Sequence, residues 1–419
     1  MRLEPVKQFV HLLTLITLSI VVGAVGGVGS WALFESLDNA TSLRLDHQWL
    51  VWLLPVAALI LGATYWRFGG SANRGTSLVI ANSNEDVEVD PVPARMAPMI
   101  FGATYIAQLT GASVGREGAA LQISGSLSSL LTKPLRLTPS DRRLLMVAAM
   151  AGAFGGAFGV PVAGAIFGIE VRRTGRLRYE GLIPALVASV TADLVVEALG
   201  RSTPLVELAY SVDWSSALRF AVLGIAAGLA ARLFIFVLHH VRAFIDERVT
   251  LVPLRPVIGA IATLLLMIML GRDYLGLSLP LVEQALDGNL ADWWDPLLKI
   301  VFTAVALGCS IPGGEVTPLF VVGATLGSVM SAPLGLPSGI AAAVCLGAVF
   351  GAASNTPVAC CVLVIELFGA QLAVPAAIVG IIAFAVSPRA GIYSGQMPGA
   401  TKDLRTPPHR ASEERSPRA

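Results

Sequence analysis

Two stretches of the chain carry the same residues at the same spacing. Phe154-Gly155-Gly156-Ala157 is matched by Phe350-Gly351-Ala352-Ala353, Pro161-Val162-Ala163 by Pro357-Val358-Ala359, and Ile169-Glu170 by Ile365-Glu366, all at an offset of 196. Upstream, Gly115, Glu117, Leu121 and Gly125 match Gly313, Glu315, Leu319 and Gly323 at an offset of 198. Alanine and glycine recur by chance in a chain rich in them, whereas Phe, Pro and Glu at fixed spacing do not. The chain is expected to fold as two copies of one unit, about residues 1–200 and 201–400, within a single domain. The matched Glu170 and Glu366 suggest a shared structural job, such as bonding backbone at a helix end. Phe154 and Phe350, with their glycines, read as packing residues.

The nature of the unit follows from its apolar runs. They fall at about 9–34, 50–65, 96–112, 143–170, 181–199, 216–238, 252–271, 297–309, 316–330, 338–352, 356–368 and 372–387. The runs are long rather than alternating, and only 14% of the 419 residues are charged, against about 25% in soluble domains. An all-α integral membrane protein is expected. Several runs approach or fall below the roughly 17 residues needed to span a bilayer. With 42 glycines and 25 prolines in the chain, they read as discontinuous helices meeting at a site near the midplane. Such a duplicated architecture reads as a transporter or channel. The sequence has no Walker motif, so active transport would run on an ion or proton gradient.

The first run lies behind Arg2 and Lys7. It is too long for a signal-peptide core and reads as the first spanning helix. Residues 73–95 are polar and read as a loop. Basic residues at Arg172, Arg173, Arg176 and Arg178, and in the tail, place both regions in the cytoplasm by the positive-inside rule. Both termini are then cytoplasmic and the protein lies in the inner (plasma) membrane. Residues 401–419 are charged and read as a disordered cytoplasmic tail. Cys309, Cys345, Cys360 and Cys361 lie in apolar segments without metal-type spacing and read as buried packing. No metal and no cofactor are expected. An intramembrane enzyme remains a remote alternative, since there is no HExxH, paired aspartate or serine–histidine arrangement. A net charge of +1 says nothing of partners, and nucleic acid is not expected among them.

Gly115-Arg116-Glu117-Gly118 sets an acid, a base and two glycines inside this apolar chain. A charge at the bilayer centre costs about 2.5 to 3.5 kcal/mol on the insertion scale, so such a residue is a functional-site hypothesis by default. The glycines allow close backbone approach, and a helix start behind them offers free N–H groups. Together these describe an anion site with a carboxylate able to compete for it. The same residues could instead form an Arg116–Glu117 ion pair at the membrane interface. The repeat gives this loop a partner at Gly313-Gly314-Glu315-Val316-Thr317-Pro318.

These residues resemble the CLC family of anion channels and proton-coupled anion antiporters. The family's G-R-E-G-x-x-x-Q signature stands here as Gly115 to Gln122, its G-x-x-x-P loop as Gly313 to Pro318, and its late tyrosine motif as Gly391-Ile392-Tyr393-Ser394. The resemblance covers about residues 10 to 400. It implies a homodimer whose subunits each carry an anion pathway between inverted repeats. Within the family, the chain looks most like the fluoride/proton antiporter branch. The Gly-Gly-Glu-Val-Thr-Pro loop, Gly75-Thr76-Ser77-Leu78-Val79-Ile80 and Arg95-Met96-Ala97-Pro98 carry that likeness. Chloride/proton exchangers carry two adjacent glutamates where this chain has Glu170-Val171. A chloride/proton antiporter or a passive chloride channel of the same fold is the alternative.

The resemblance implies roles. Glu117 is the gating carboxylate that swaps with the anion, coupling it to protons. Glu315 would relay protons. Thr317 would donate to fluoride, although a threonine before an apolar run also suits a helix cap. Tyr393 points its hydroxyl at the anion or is an interface tyrosine. Thr76 and Ser77 supply donors or serve the loop alone. Gly115, Arg116 and Gly118 complete the anion-binding set. The expected partners are fluoride or another small anion, protons and the lipid bilayer.

Overall fold

The computed structural model describes residues 4–85, 89–135, 137–202, 206–388 and 390–397. The expected tail at 401–419 lies outside them. Among the described residues the chain forms sixteen α-helices in two series of eight. The first series is α1 (Glu4–Asp46), α2 (Leu54–Phe68), α3 (Thr76–Asn82), α4 (Met96–Leu109), α5 (Glu117–Thr132), α6 (Pro139–Phe158), α7 (Pro161–Glu170) and α8 (Leu182–Ala198). The second is α9 (Trp214–Arg248), α10 (Arg255–Leu270), α11 (Leu279–Leu286), α12 (Asp295–Gly308), α13 (Val316–Leu334), α14 (Ser338–Ser354), α15 (Pro357–Phe368) and α16 (Ala373–Val386). Each series opens on a very long helix, has a very short third helix, and ends on three closely joined ones.

Local chemistry sets the boundaries. Asp213 and Ser216 close a capping box at the start of α9. Thr138 accepts the Asp141 N–H at the start of α6, with Pro139 at the first helical position. The turns from α6 to α7 and from α14 to α15 match: Gly159 and Asn355 are left-handed (φ 67° and 58°), and Pro161 and Pro357 open the next helices. Packing repeats as well. A methyl on Gly27 in α1 would stand 2.8 Å from Ala192 O in α8, and one on Gly228 in α9 would stand 2.7 Å from Ala383 O in α16.

The two series meet at α7 and α15. Glu170, at the end of α7, accepts the N–H groups of Val358 (3.1 Å) and Ala359 (2.8 Å) at the start of α15. Glu366 returns the arrangement, accepting from Val162 (3.0 Å) and Ala163 (2.7 Å) at the start of α7. Each carboxylate satisfies N–H groups that a helix start leaves open. Since the end of each helix touches the start of the other, equivalent helices run antiparallel. Phe154, Phe167 and Phe350 stack in the same region, with centroids 4.2 Å apart for Phe154–Phe167 and 6.1 Å for Phe154–Phe350, and Phe320 meets Phe350 edge to face.

Among the described residues, six helical stretches are long and apolar enough to cross a membrane: Lys7–Asp46, Gln48–Phe68, Tyr179–Ala198, Trp214–Arg248, Val252–Leu270 and Val316–Leu334. Others, such as Pro161–Glu170 and Pro357–Phe368, are shorter. The described cysteines are free, and only Cys361 is not fully buried.

Two expectations need correction. Residues 73–95 are not all loop: α3 occupies Thr76–Asn82, and its Leu78, Val79 and Ile80 are fully buried. The run 143–170 is two helices, because Gly159 and Pro161 cannot continue α6. Burial within the basic cluster is uneven. Arg172 is 2% exposed and donates to Ser83 O. Arg178 pairs with Glu85 at 2.8 Å.

His11 stands 3.2 Å from Asp141, and Thr174 N–H donates to Met397 O at 3.1 Å. Arg143, near the start of α6, lies within electrostatic reach of Arg172, so the start of α1, the start of α6, the basic segment after α7 and the last described residues lie on one face.

Candidate functional site

The loops leading into α5 and α13 cross in the interior. Gly115 N–H donates to Gly314 O at 2.6 Å, and Gly314 N–H returns the bond to Gly115 O at 2.8 Å. This antiparallel bridge needs glycine, because a methyl on Gly115 would stand 2.9 Å from both Gly314 O and Pro318 Cδ. Two helix starts are thereby held side by side, and their free N–H groups converge.

Glu117 is the first residue of α5 and is 2% exposed. Its Oε2 accepts the Thr317 N–H at 3.1 Å, the Thr317 hydroxyl, and the Arg116 N–H at 3.2 Å. Thr317 lies in the first turn of α13. The carboxylate of one half thus occupies the donors at the helix start of the other. The Thr317 hydroxyl does not cap its own helix, since its proton goes to Glu117. Arg116 Nε is 3.5 Å from Glu117 Oε1. This ion pair lies inside the protein rather than at an interface.

The other candidates surround this contact. A methyl on Gly118 would stand 3.0 Å from Gly314 Cα, 3.3 Å from Thr76 Oγ1 and 3.7 Å from Glu315 Oε2. Glu315 therefore lies beside the start of α5, and its carboxylate makes no hydrogen bond to another described residue. Tyr393 is 3% exposed, and its hydroxyl has no hydrogen-bond partner among the described residues. It lies within electrostatic reach of both Glu315 and Glu117. Thr76 donates its hydroxyl to Gly118 O at 3.3 Å and accepts from Gln122 Nε2 at 3.3 Å, so it braces the loop. Ser77 accepts from the Ser394 hydroxyl at 3.1 Å, tying α3 to the tyrosine segment. Both polar groups of the Gly115 backbone are engaged in the bridge.

Some residues at the site carried no signal of their own. Asp38, within the long α1, holds Arg116 Nη1 at 3.2 Å and Arg201 Nη1 at 2.7 Å. Phe34, one turn earlier, lies under the Arg116 guanidinium at 4.3 Å. Lys299 is fully buried and donates to Ser113 Oγ (3.0 Å), Ser278 Oγ (2.8 Å) and Gly276 O (2.8 Å), joining the loop before α5 to the loop before α11. A single lysine in the run 297–309 was the only hint of it. The helical spacing of Phe34 and Asp38 could have flagged a shared face on α1, but not its partner.

Residues 57–388 match the family described as voltage gated chloride channel. The chain belongs to this family, the CLC channels and transporters. A relative from Pseudomonas syringae pv. tomato, described as a chloride/fluoride channel protein, is 38% identical over 97% of this chain and 91% of its own length. The H(+)/Cl(-) exchange transporter ClcA of Yersinia pestis is 25% identical over 85% of this chain and 80% of its own. Among solved structures, a CLC-type fluoride/proton antiporter superposes with a TM-score of 0.88 at 30% identity, covering 92% of this chain and 98% of that one. A slow cyanobacterial Cl-/H+ antiporter shares the fold at a TM-score of 0.75 and 17% identity, covering 89% and 94%. The crossed loops of this CLC chain therefore sit in an anion-transport fold.

Proposed function

We propose that this CLC protein exchanges fluoride for protons and exports fluoride, with Glu117 as its gate. One observation carries the reading: the Glu117 carboxylate is bound by the amide and hydroxyl of Thr317 at the start of α13. Ionised, Glu117 fills an anion site as a tethered ligand. Protonated, it loses its attraction for the positive helix end and releases those donors. Fluoride then takes the Thr317 N–H and O–H, and the Tyr393 hydroxyl, which has no hydrogen-bond partner among the described residues, completes the set. Fluoride is small and strongly hydrated, so strong donors must offset its dehydration. Gly118 and Arg116 supply the positive helix start, while Gly115, Thr76 and Ser77 hold the loops in place. Glu315 is the second carboxylate through which a proton passes.

The 38% identical chloride/fluoride channel protein and the fluoride/proton antiporter structure support this substrate class. The transport domain spans about residues 1–400 as two inverted halves and works as a homodimer in the plasma membrane. The face that joins the start of α1, Arg172 to Arg178 and Met397 is cytoplasmic by the positive-inside rule. The deciding experiment loads vesicles with fluoride or chloride and follows efflux with ion electrodes. Fluoride efflux well above chloride efflux, with opposite proton movement, is expected. Equal efflux of the two anions would identify a chloride transporter or channel instead.

A further inference from the structure

Arg116 is shared between two carboxylates. On one side its Nε stands 3.5 Å from Glu117 Oε1, buried and without a completed hydrogen bond. On the other, its Nη1 lies 3.2 Å from Asp38 Oδ1. The other oxygen of Asp38 takes Arg201 Nη1 at 2.7 Å, and Arg201 stands 3.8 Å from Glu35. The ring of Phe34 lies beneath both guanidiniums, at 4.3 Å for Arg116 and 5.5 Å for Arg201. Side-chain exposure rises from 2% at Glu117 and 12% at Arg116 to 46% at Asp38 and 66% at Glu35. The row therefore leads from the buried gate to the surface of the chain, near the ends of α1 and α8.

We infer that Asp38 is a positioning residue for the gate: by holding one edge of Arg116, it limits how fully that guanidinium pairs with Glu117, and so sets the pH at which Glu117 leaves Thr317. The inference rests on the gating role proposed above. Arg116, from its own loop, and Tyr393, from the last segment, lie within electrostatic reach of Glu117; Asp38 from α1 and Arg201 from beyond α8 act on Arg116, and Glu315 from the loop before α13 and Cys360 from α15 act on Tyr393. Helices α3 and α4, which pack on α5, carry no Asp, Glu, Lys or Arg. The charges of α6 (Asp141, Arg142, Arg143) sit at its start, on the other face. An opposite charge within about 4–6 Å favours an ionised carboxylate strongly, so a half-made pair is where a small displacement has most effect.

Two substitutions should act with opposite sign. Asp38→Asn removes a like charge and frees Arg116 to pair fully with Glu117. Arg201→Gln removes a positive charge and leaves Asp38 to hold Arg116 more tightly. Proton-coupled fluoride flux in vesicles is measured against pH for each variant and for the wild type. The midpoint should move to lower pH by about half a unit or more in Asp38→Asn, and to higher pH by a smaller amount in Arg201→Gln. Equal rate losses with unmoved midpoints, or shifts in one direction, would overturn the inference. Arg201 lies near the exposed end of the row, so its variant carries the test alone if Asp38→Asn fails to fold. The wild-type control separates this from the substrate assignment. Equal fluoride and chloride flux there would overturn the fluoride reading, and the midpoint shifts would then be read with chloride.

Discussion

Two pairs of glutamates repeat across the halves, and only one pair keeps its symmetry. Glu170 and Glu366 do the same work, each accepting two N–H groups at the opposite helix start. Glu117 and Glu315 align equally well in sequence, at an offset of 198, but the backbone pairs Gly115 with Gly314, one residue further on. That slip puts Glu117 on the first residue of α5 and leaves Glu315 just ahead of α13. Only Glu117 reaches across to the opposite helix start, while the Glu315 carboxylate makes no hydrogen bond to another described residue. The duplication is kept where it joins the halves and broken where one gate must differ from its counterpart.

The comparison can be broken most decisively at Glu117. Glu117→Gln removes the group that carries the proton, and proton flux measured with a pH electrode in vesicles should fall by about a hundredfold or more. The same change at Glu315 should slow proton coupling without abolishing it. Thr317→Val keeps the shape and the N–H but loses the hydroxyl. A hydrogen bond to a charged group is worth about 1.5–3 kcal/mol, so the fluoride concentration for half-maximal flux should rise by about tenfold or more.

The symmetric pair predicts symmetric losses. Glu170→Ala and Glu366→Ala each leave two helix-start N–H groups without partners, at about 1–3 kcal/mol for each buried group. Thermal unfolding in detergent should show both destabilised, Glu170→Ala the more because Glu170 is only 4% exposed. A large loss from one and none from the other would contradict the shared role.

The smallest effect belongs to Glu85. Its hydrogen bond with Arg178 holds its carboxyl below the usual carboxylate range. The stabilisation is therefore present above the ordinary carboxylate pKa and is lost as pH falls through the lowered value. For a pair this exposed it amounts to about 1 kcal/mol at most. Unfolding temperature against pH, compared between wild type and Glu85→Gln, should converge in acid and separate slightly near neutral pH.

The sequence made the apolar helices, the repeat and the two crossing loops legible. It concealed elements whose polarity is resolved only by neighbours. The serines of α5 mask a buried helix: Ser124 donates to Ala149 O at 2.9 Å and Ser126 to Pro93 O at 2.8 Å. The short α3 and α11 offer too few residues for a periodic signal. The one-residue slip between the glutamates was invisible, because the side chains align while the bridge glycines do not. Asp38 and Lys299 gain their meaning from partners 78 and 186 positions away, Arg116 and Ser113.

The central claim is that Glu117 and the transported anion compete for the same donors on Thr317. Titration of fluoride into purified protein, wild type against Glu117→Ala, tests it directly. Removing a tethered competitor should tighten fluoride binding by about tenfold and make it nearly independent of pH. Unchanged affinity and unchanged pH dependence in Glu117→Ala would contradict the account.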